Sequence, residues 1–283
     1  GMAAALEGLR SGRLHRYNLS PGELGEVGLL EREFAAYVGS KYALAVCSGG
    51  YALATALRAL DVKPGDKVLT NAFTLAPVPG SIASVGAVPV FVGVTEDLVI
   101  DLDDLAKKAH LSNVLMLSHM RGHICDMDRL LEICSEAGVK IVEDCAHTMG
   151  AAWRGVPSGR YGAIGCYSTQ TYKHMNSGEG GFLVTDDDEI MARATMLSGS
   201  YMLYERHGAV PGPEVFDSVK YTTPNVSGRM DHLRAAILRP QLTKLDAQRD
   251  AWNARYQVVE DGLRDTPGLR LVDRPNEERY EIG

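Results

Sequence analysis

Lys173 follows Tyr167-Ser168-Thr169-Gln170-Thr171-Tyr172 and precedes His174-Met175-Asn176-Ser177-Gly178-Glu179-Gly180-Gly181. It thus lies between an apolar run that reads as a strand and a glycine-rich turn that leads into another. Most lysines are solvated surface charges. One in such a connection can form a Schiff base with an aldehyde cofactor, if burial and neighbours depress its pKa. A second segment, Val142-Glu143-Asp144-Cys145-Ala146-His147, closes an apolar strand with a carboxylate. Burying that charge is expensive unless a cation meets it, and a protonated pyridine nitrogen is such a cation. His147, three residues on, can reach a neighbouring phenolic oxygen. An aspartate that merely caps the next turn fits these residues equally well. A third segment, Cys47-Ser48-Gly49-Gly50-Tyr51-Ala52-Leu53, opens into a helix, where glycine amides and the positive helix end suit an anion. A plain strand-to-helix connection has the same look. Neither GxGxxG nor GxxxxGK followed by Ser or Thr occurs, so neither nucleotide-binding fingerprint competes.

Two further groups carry chemistry-bearing residues. His119-Met120-Arg121-Gly122-His123-Ile124-Cys125-Asp126 spaces two histidines four apart beside a thiol and a carboxylate, as a zinc site on one helix would. Gly122 and the end of the preceding strand argue against a single helix, so no metal is expected. Tyr201, Tyr204 and His207, in the loop after Ser198, either line a sugar site or pack the loop.

Seven strands must position these segments: Tyr42–Cys47, Lys67–Thr70, Val88–Val94, Asn113–Ser118, Val139–Glu143, Ala163–Ser168 and Gly181–Thr185. Between the first two, Tyr51–Leu60 reads as a helix with Leu53, Ala56, Leu57 and Leu60 on one face. Met127, Leu130, Leu131 and Cys134 mark another, and from about Asp231 the pattern is helical through Gly262. Strands this apolar, separated by helices, predict an α/β fold whose mostly parallel sheet is covered on both faces. Ligands of such sheets collect at the carboxyl ends of the strands. That rule singles out the loops after Cys47, Thr70, Ser118, Glu143 and Ser168.

The 283 residues suffice for about two domains. The formal charge of −7 argues against nucleic acid or an anionic membrane as main partner, since both need a basic face. Five widely spaced cysteines without a CxxC pair read as buried hydrophobes in a reducing cytosol. With no leader pattern and no apolar run of about 18 residues, a cytoplasmic protein is expected.

In order and spacing, these segments resemble the DegT/StrS family of pyridoxal-5′-phosphate (PLP)-dependent sugar aminotransferases, which have the fold-type I architecture. The family pattern runs approximately SGT-x-AL, a T before F or W, EDAA before Q or H, SF-x-x-x-K-x-x-x-x-GEGG, then NYRM. The matching stretches lie between about Leu29 and Leu245. The resemblance implies that Lys173 is the Schiff-base lysine and proton shuttle, while Asp144 keeps the pyridine nitrogen protonated. It places His147 near the phenolic oxygen, Ser168 on the phosphate with the Gly49 and Gly50 amides, and Arg229 in the neighbouring subunit's site. Three positions depart from the pattern. Gly50 replaces a phosphate-binding threonine, Leu75 an aromatic that stacks on the cofactor, and Ser227 an asparagine that contacts phosphate across the dimer, with Asn225 two residues earlier.

The resemblance implies a fold-type I PLP-dependent transferase acting as a homodimer. It would transaminate a keto-sugar or keto-cyclitol with glutamate or glutamine as donor. Residues 1–240 are expected to form the PLP-binding domain with an N-terminal segment, and 241–283 an interdomain helix and the start of a C-terminal domain. That second domain is expected to be truncated, because family members run on beyond Glu281-Ile282-Gly283; Arg270–Val272 and Tyr280–Ile282 read as strands just beginning. A sugar dehydratase on the same scaffold carries histidine in place of the lysine, so Lys173 argues against it. A non-catalytic PLP-binding regulator is the other alternative, kept by the departures at positions 50 and 75.

Overall fold

A computed structural model describes residues 2–272, 274, 275, 278 and 279. The chain begins with helices α1 (Met2–Ser11) and α2 (Glu26–Val38), then strand β1 (Tyr42–Val46) and helix α3 (Gly49–Ala59). There follow β2 (Lys67–Asn71), α4 (Pro77–Ser84), β3 (Val88–Val92), α5 (Leu102–Lys108), β4 (Val114–Ser118), α6 (Met127–Ala137) and β5 (Lys140–Asp144). Two short strands, β6 (Ala152–Trp153) and β7 (Val156–Pro157), precede β8 (Ile164–Ser168) and β9 (Gly181–Thr185). The rest comprises α7 (Asp188–Leu197), α8 (Pro213–Phe216), α9 (His232–Leu242), α10 (Leu245–Leu263) and β10 (Glu278–Arg279).

The seven strands read from the apolar runs form one sheet in the order β1-β9-β8-β5-β4-β2-β3. Only β9 runs antiparallel to its neighbours β1 and β8. Its direction follows from its connection: the loop 169–180 carries no crossover helix, and a parallel strand needs one. Alternation along the strands sends Leu44, Val46, Val68, Met116, Val142 and Leu183 to the face covered by α3, α4 and α7. Ala43, Ala45, Phe182 and Val184 face α2 and α9 instead, while Leu69, Leu115, Leu117 and Ile141 face α5 and α6. The sheet is therefore covered on both sides.

The N-terminal segment is tied down by a buried ion pair. Glu31 on α2 accepts from Arg16 at 2.8 and 2.6 Å and from the amides of Ala45 and Gly208. Arg16 also meets His207, whose other ring nitrogen contacts the Tyr17 hydroxyl at 2.8 Å. A buried charge pair persists only with its remaining hydrogen bonds supplied in this way.

One expectation changes and one is left open. Residues 270–272 form no strand, since Arg270 is turned toward the Glu96 carbonyl and the Asp97 carboxylate and has no strand to pair with. The segment 280–282 lies outside the described residues. All five cysteines are free, and among the described residues no helix is long and apolar enough to cross a membrane.

Candidate active site

The carboxyl ends of the strands open onto a cavity of about 480 Å³. Its walls come from Ser48, Gly49, Gly50 and Leu53, from Leu75, Pro77 and Val78, and from Met120. Asp144, Ala146, His147, Cys166, Ser168, Gln170, Lys173 and Glu179 complete it. Gly49, Gly50, Leu75, Asp144, His147, Ser168 and Lys173, all singled out from the sequence, meet here.

One end of the cavity is formed by the N-terminus of α3. Ser48 caps α3, its hydroxyl accepting from the Tyr51 amide at 3.1 Å, so the helix begins two residues earlier than its apolar pattern indicates. The amides of Gly49 and Gly50 belong to the first turn and have no acceptor within the helix. A Cβ at Gly49 would lie 2.9 Å from the Ser168 Cβ, so only glycine lets this helix end approach β8 so closely. Gly50 is different: a Cβ there meets nothing nearer than Pro77 at 3.9 Å.

The opposite wall carries Asp144. The β4–β5 register sets Ser118 beside it. The Ser118 hydroxyl donates to Asp144 Oδ2 at 3.2 Å and accepts from Thr74 Oγ1 at 2.7 Å, while the Ala146 amide donates to Oδ1 at 3.1 Å. Ser118 is itself fixed by Asn71, which accepts from its amide and donates to its carbonyl. Asp144 forms no ion pair with any described residue. Burial therefore raises its pKa, against the Ala146 amide, His119, Ser118 and Lys173, which favour the carboxylate.

Lys173 is half-buried, and burial lowers its pKa against the pull of Asp144, with Arg121 lowering it further. The loop carrying it is held by Thr169 N to Gly180 O at 2.9 Å, and by Asn176 and Gln241 exchanging hydrogen bonds at 3.0 and 2.8 Å. Gly180 has φ 151°, and a Cβ there would lie 2.3 Å from the Thr169 hydroxyl, which accounts for a glycine at that position. His147 accepts the Arg121 amide at Nδ1, 3.0 Å away. Burial first, then Lys173, Arg121 and His174, hold its pKa down at about 4.

Arg229 lies outside the cavity lining. It donates to Gly199 O at 2.8 Å and Ser227 Oγ at 3.2 Å, and its guanidinium sits 4.8 Å from the Tyr201 ring centre. Of the three loop residues, Tyr204 stacks on Phe216 and His207 is buried against Arg16, so neither lines the cavity; Tyr201 is exposed. The two histidines read as a possible metal pair do not share a helix, because Met120–Gly122 is a 3-10 turn. His119, Glu143 and Cys145 do bring ligand atoms together. Glu143, however, is already engaged by the amides of Gly159, Tyr161 and Gly162 and by His119. It is an anchor for the 159–162 turn.

The sequence reading missed Met120, Gln170 and Glu179 in the lining, and Ser118 and Thr74 behind Asp144. The loop after Ser118 had been marked by the strand-end rule, but which strand neighbours β5 is not written in any local pattern.

A model of the DegT/DnrJ/EryC1/StrS aminotransferase family matches residues 19–281. The chain is 34% identical over 256 residues to a putative L-glutamine:3-amino-2,3-dideoxy-scyllo-inosose aminotransferase of Micromonospora echinospora, covering 88% of this chain and 59% of that one. It is 35% identical over 237 residues to the 3-amino-5-hydroxybenzoate synthase of Amycolatopsis mediterranei, covering 83% and 59%. This chain thus spans less than two thirds of those relatives. Among solved structures, DesV of S. venezuelae, in complex with a ketimine intermediate, superposes with a TM-score of 0.83 at 32% identity over 99% of this chain and 71% of that one. The 3-amino-5-hydroxybenzoic acid synthase superposes with a TM-score of 0.85 at 29% identity over 99% and 70%.

Proposed function

The chain belongs to the DegT/DnrJ/EryC1/StrS aminotransferase family, and on that premise we propose that it moves an amino group from glutamate or glutamine onto a keto-sugar or keto-cyclitol, using pyridoxal phosphate. One observation carries this reading: the glycine-rich start of α3, a carboxylate with no ion pair among the described residues and a half-buried lysine line a single cavity of about 480 Å³ at the strand ends. The donor set fits the cofactor. Glycine amides and Ser168 suit a phosphate, and Asp144, a carboxylate with no ion pair among the described residues, suits a pyridinium. When bound, pyridoxal phosphate supplies an electron sink for the pair left when a donor's Cα–H bond breaks.

This chain's residues do the rest. Lys173, its pKa lowered by burial, would take the cofactor's aldehyde and carry a proton to and from the substrate carbon. Asp144 holds the proton on the pyridine nitrogen, and Ser118 and the Ala146 amide hold Asp144. His147 contacts the phenolic oxygen, Leu75 covers one ring face, and the Gly49 and Gly50 amides with Ser168 grip the phosphate. Arg229 reaches the partner's cavity in a homodimer. Residues 1–240 make the cofactor domain, and the remainder begins a second.

The names of the relatives support a cyclitol or sugar acceptor, and glutamine as donor. The protein loaded with pyridoxal phosphate, given glutamine and a panel of keto-cyclitols and nucleotide-linked keto-sugars, should yield an aminated product from at least one. No product from any, with cofactor bound, would refute the activity.

A further inference from the structure

The turn after β4 holds a strained residue whose amide governs how His147 can act; the inference rests on reading the cavity as a pyridoxal-phosphate site. Arg121 has φ 59° and ψ 22°, and Gly122 follows at φ 83°. Residues with a Cβ occupy left-handed backbone sparsely, so the surroundings must hold it there. They do: the buried His119 ring is anchored to Glu143 at 3.0 Å, its amide donates to Asp144 O at 3.2 Å, and Gly122 N returns to His119 O at 3.2 Å. The turn is thus pinned to the end of β5, the strand that leads into His147.

The outcome of the strain is one hydrogen bond, Arg121 N–H to Nδ1 of His147 at 3.0 Å. A backbone amide can only donate, so Nδ1 must be an unprotonated acceptor, and the proton of the neutral ring then resides on Nε2. Burial and the cations of Lys173 and Arg121 disfavour a second ring proton. The Arg121 side chain is exposed, so it is the amide of this residue that is committed to the site.

We propose that the Arg121 amide is a positioning group that locks His147 in its Nε2–H tautomer. His147 then serves the cavity as a fixed hydrogen-bond donor to the ionised phenolic oxygen of pyridoxal phosphate and does not act as a general base. A strained backbone amide suits this task, because unlike a side chain it neither titrates nor rotates away.

The test starts on the full chain before any cofactor is added. Nitrogen-15 correlation spectra of the His147 ring should show Nε2 protonated and Nδ1 bare, unchanged from about pH 5 to 8. An Nδ1–H ring, or a titration midpoint inside that window, would overturn the lock whether or not the protein binds pyridoxal phosphate. Exchanging the Met120–Arg121 amide for an ester removes the N–H while leaving the backbone free to keep φ 59°, which proline cannot hold, and should release the ring into a tautomer mixture. If that variant folds by circular dichroism and keeps a fully Nε2–H ring, the amide is not the lock. The donor role is read separately by cofactor titration. His147→Gln offers an acceptor to Arg121 and a donor to the cavity, and should keep affinity, whereas His147→Leu should weaken it about tenfold or more. Equal losses in both would contradict the donor role. Failure of the unmodified chain to bind pyridoxal phosphate would instead sink the reading of the cavity, with the tautomer result still deciding the lock.

Discussion

Glu143 and Asp144 are adjacent on β5, and the fold drives their carboxyl groups in opposite directions. Burial works to raise Glu143, but His119 and the amides of Gly159 and Gly162 outweigh it, and its pKa falls. Burial raises Asp144 too, and there it outweighs the groups that oppose it, so the shift is upward. Strand alternation puts the two on opposite faces of the sheet, one in a closed anchor and one at the cavity. Pairs pushed apart in this way separate a structural carboxylate from a functional one.

Replacing each should therefore have opposite effects on the cofactor-free protein. Glu143→Gln puts an amide against backbone donors and should cost about 3 kcal/mol in chemical denaturation. The folded pKa of Glu143 lies below its unfolded value, so its contribution is complete above about pH 4.3 and is lost as pH falls through the folded value. Acid unfolding should accordingly be less steep in Glu143→Gln. Asp144→Asn removes a carboxylate that the empty fold ionises at a cost, and should raise the melting temperature at neutral pH while cutting turnover by orders of magnitude. A destabilised Asp144→Asn, or one with half its turnover, would contradict this division of labour.

Ser118→Ala should weaken pyridoxal phosphate binding about tenfold, since a hydrogen bond to a charged group contributes about 1.5–3 kcal/mol. Thr74→Val should act in the same direction and more weakly, because it only orients Ser118. Fluorescence titration of the cofactor gives both values, and unchanged affinity in Ser118→Ala would show that Asp144 needs no such support.

The two glycines at the start of α3 should behave unlike each other. Gly49→Ala drives a methyl to 2.9 Å from Ser168 Cβ and should lower both stability and cofactor affinity. Gly50→Thr enters open space and restores a hydroxyl to the helix start, so the fold should tolerate it and affinity should rise. Differential scanning fluorimetry with and without cofactor measures both effects; a Gly50→Thr protein that fails to fold would contradict the geometry.

Leu75 lines the cavity and is 45% exposed, so an aromatic ring has room there. Leu75→Phe should tighten cofactor binding by about 0.5–1.5 kcal/mol, the worth of a stacked pair. Unchanged or weaker binding would mean that the ring does not lie beneath this residue.

The strands of the sheet were legible as short apolar runs; β1, β4, β8 and β9 are buried along their whole length, whereas the edge strand β3 leaves Val88 and Phe91 exposed. The cavity residues were legible because strand ends are where such sheets bind ligands, and Lys173, Asp144 and Gly49 sit at three of them. The direction of β9 was not, since the loop 169–180 looks like any turn until the missing crossover is noticed. Ser118 escaped notice because its role depends on β4 lying beside β5, a neighbour relation set by the whole sheet. The short ribbon β10-β6-β7 was missed because two-residue strands leave no periodicity. Nothing in the identity of Arg121 announces a left-handed backbone, and only the glycine after it marks the turn.

The most direct test of the account is the identity of the lysine that takes the cofactor. The protein incubated with pyridoxal phosphate, reduced with borohydride and digested should give one labelled peptide, carrying the adduct on Lys173, and Lys173→Ala should give none while remaining folded. An adduct on another lysine, or none on the folded unmodified chain, would contradict it.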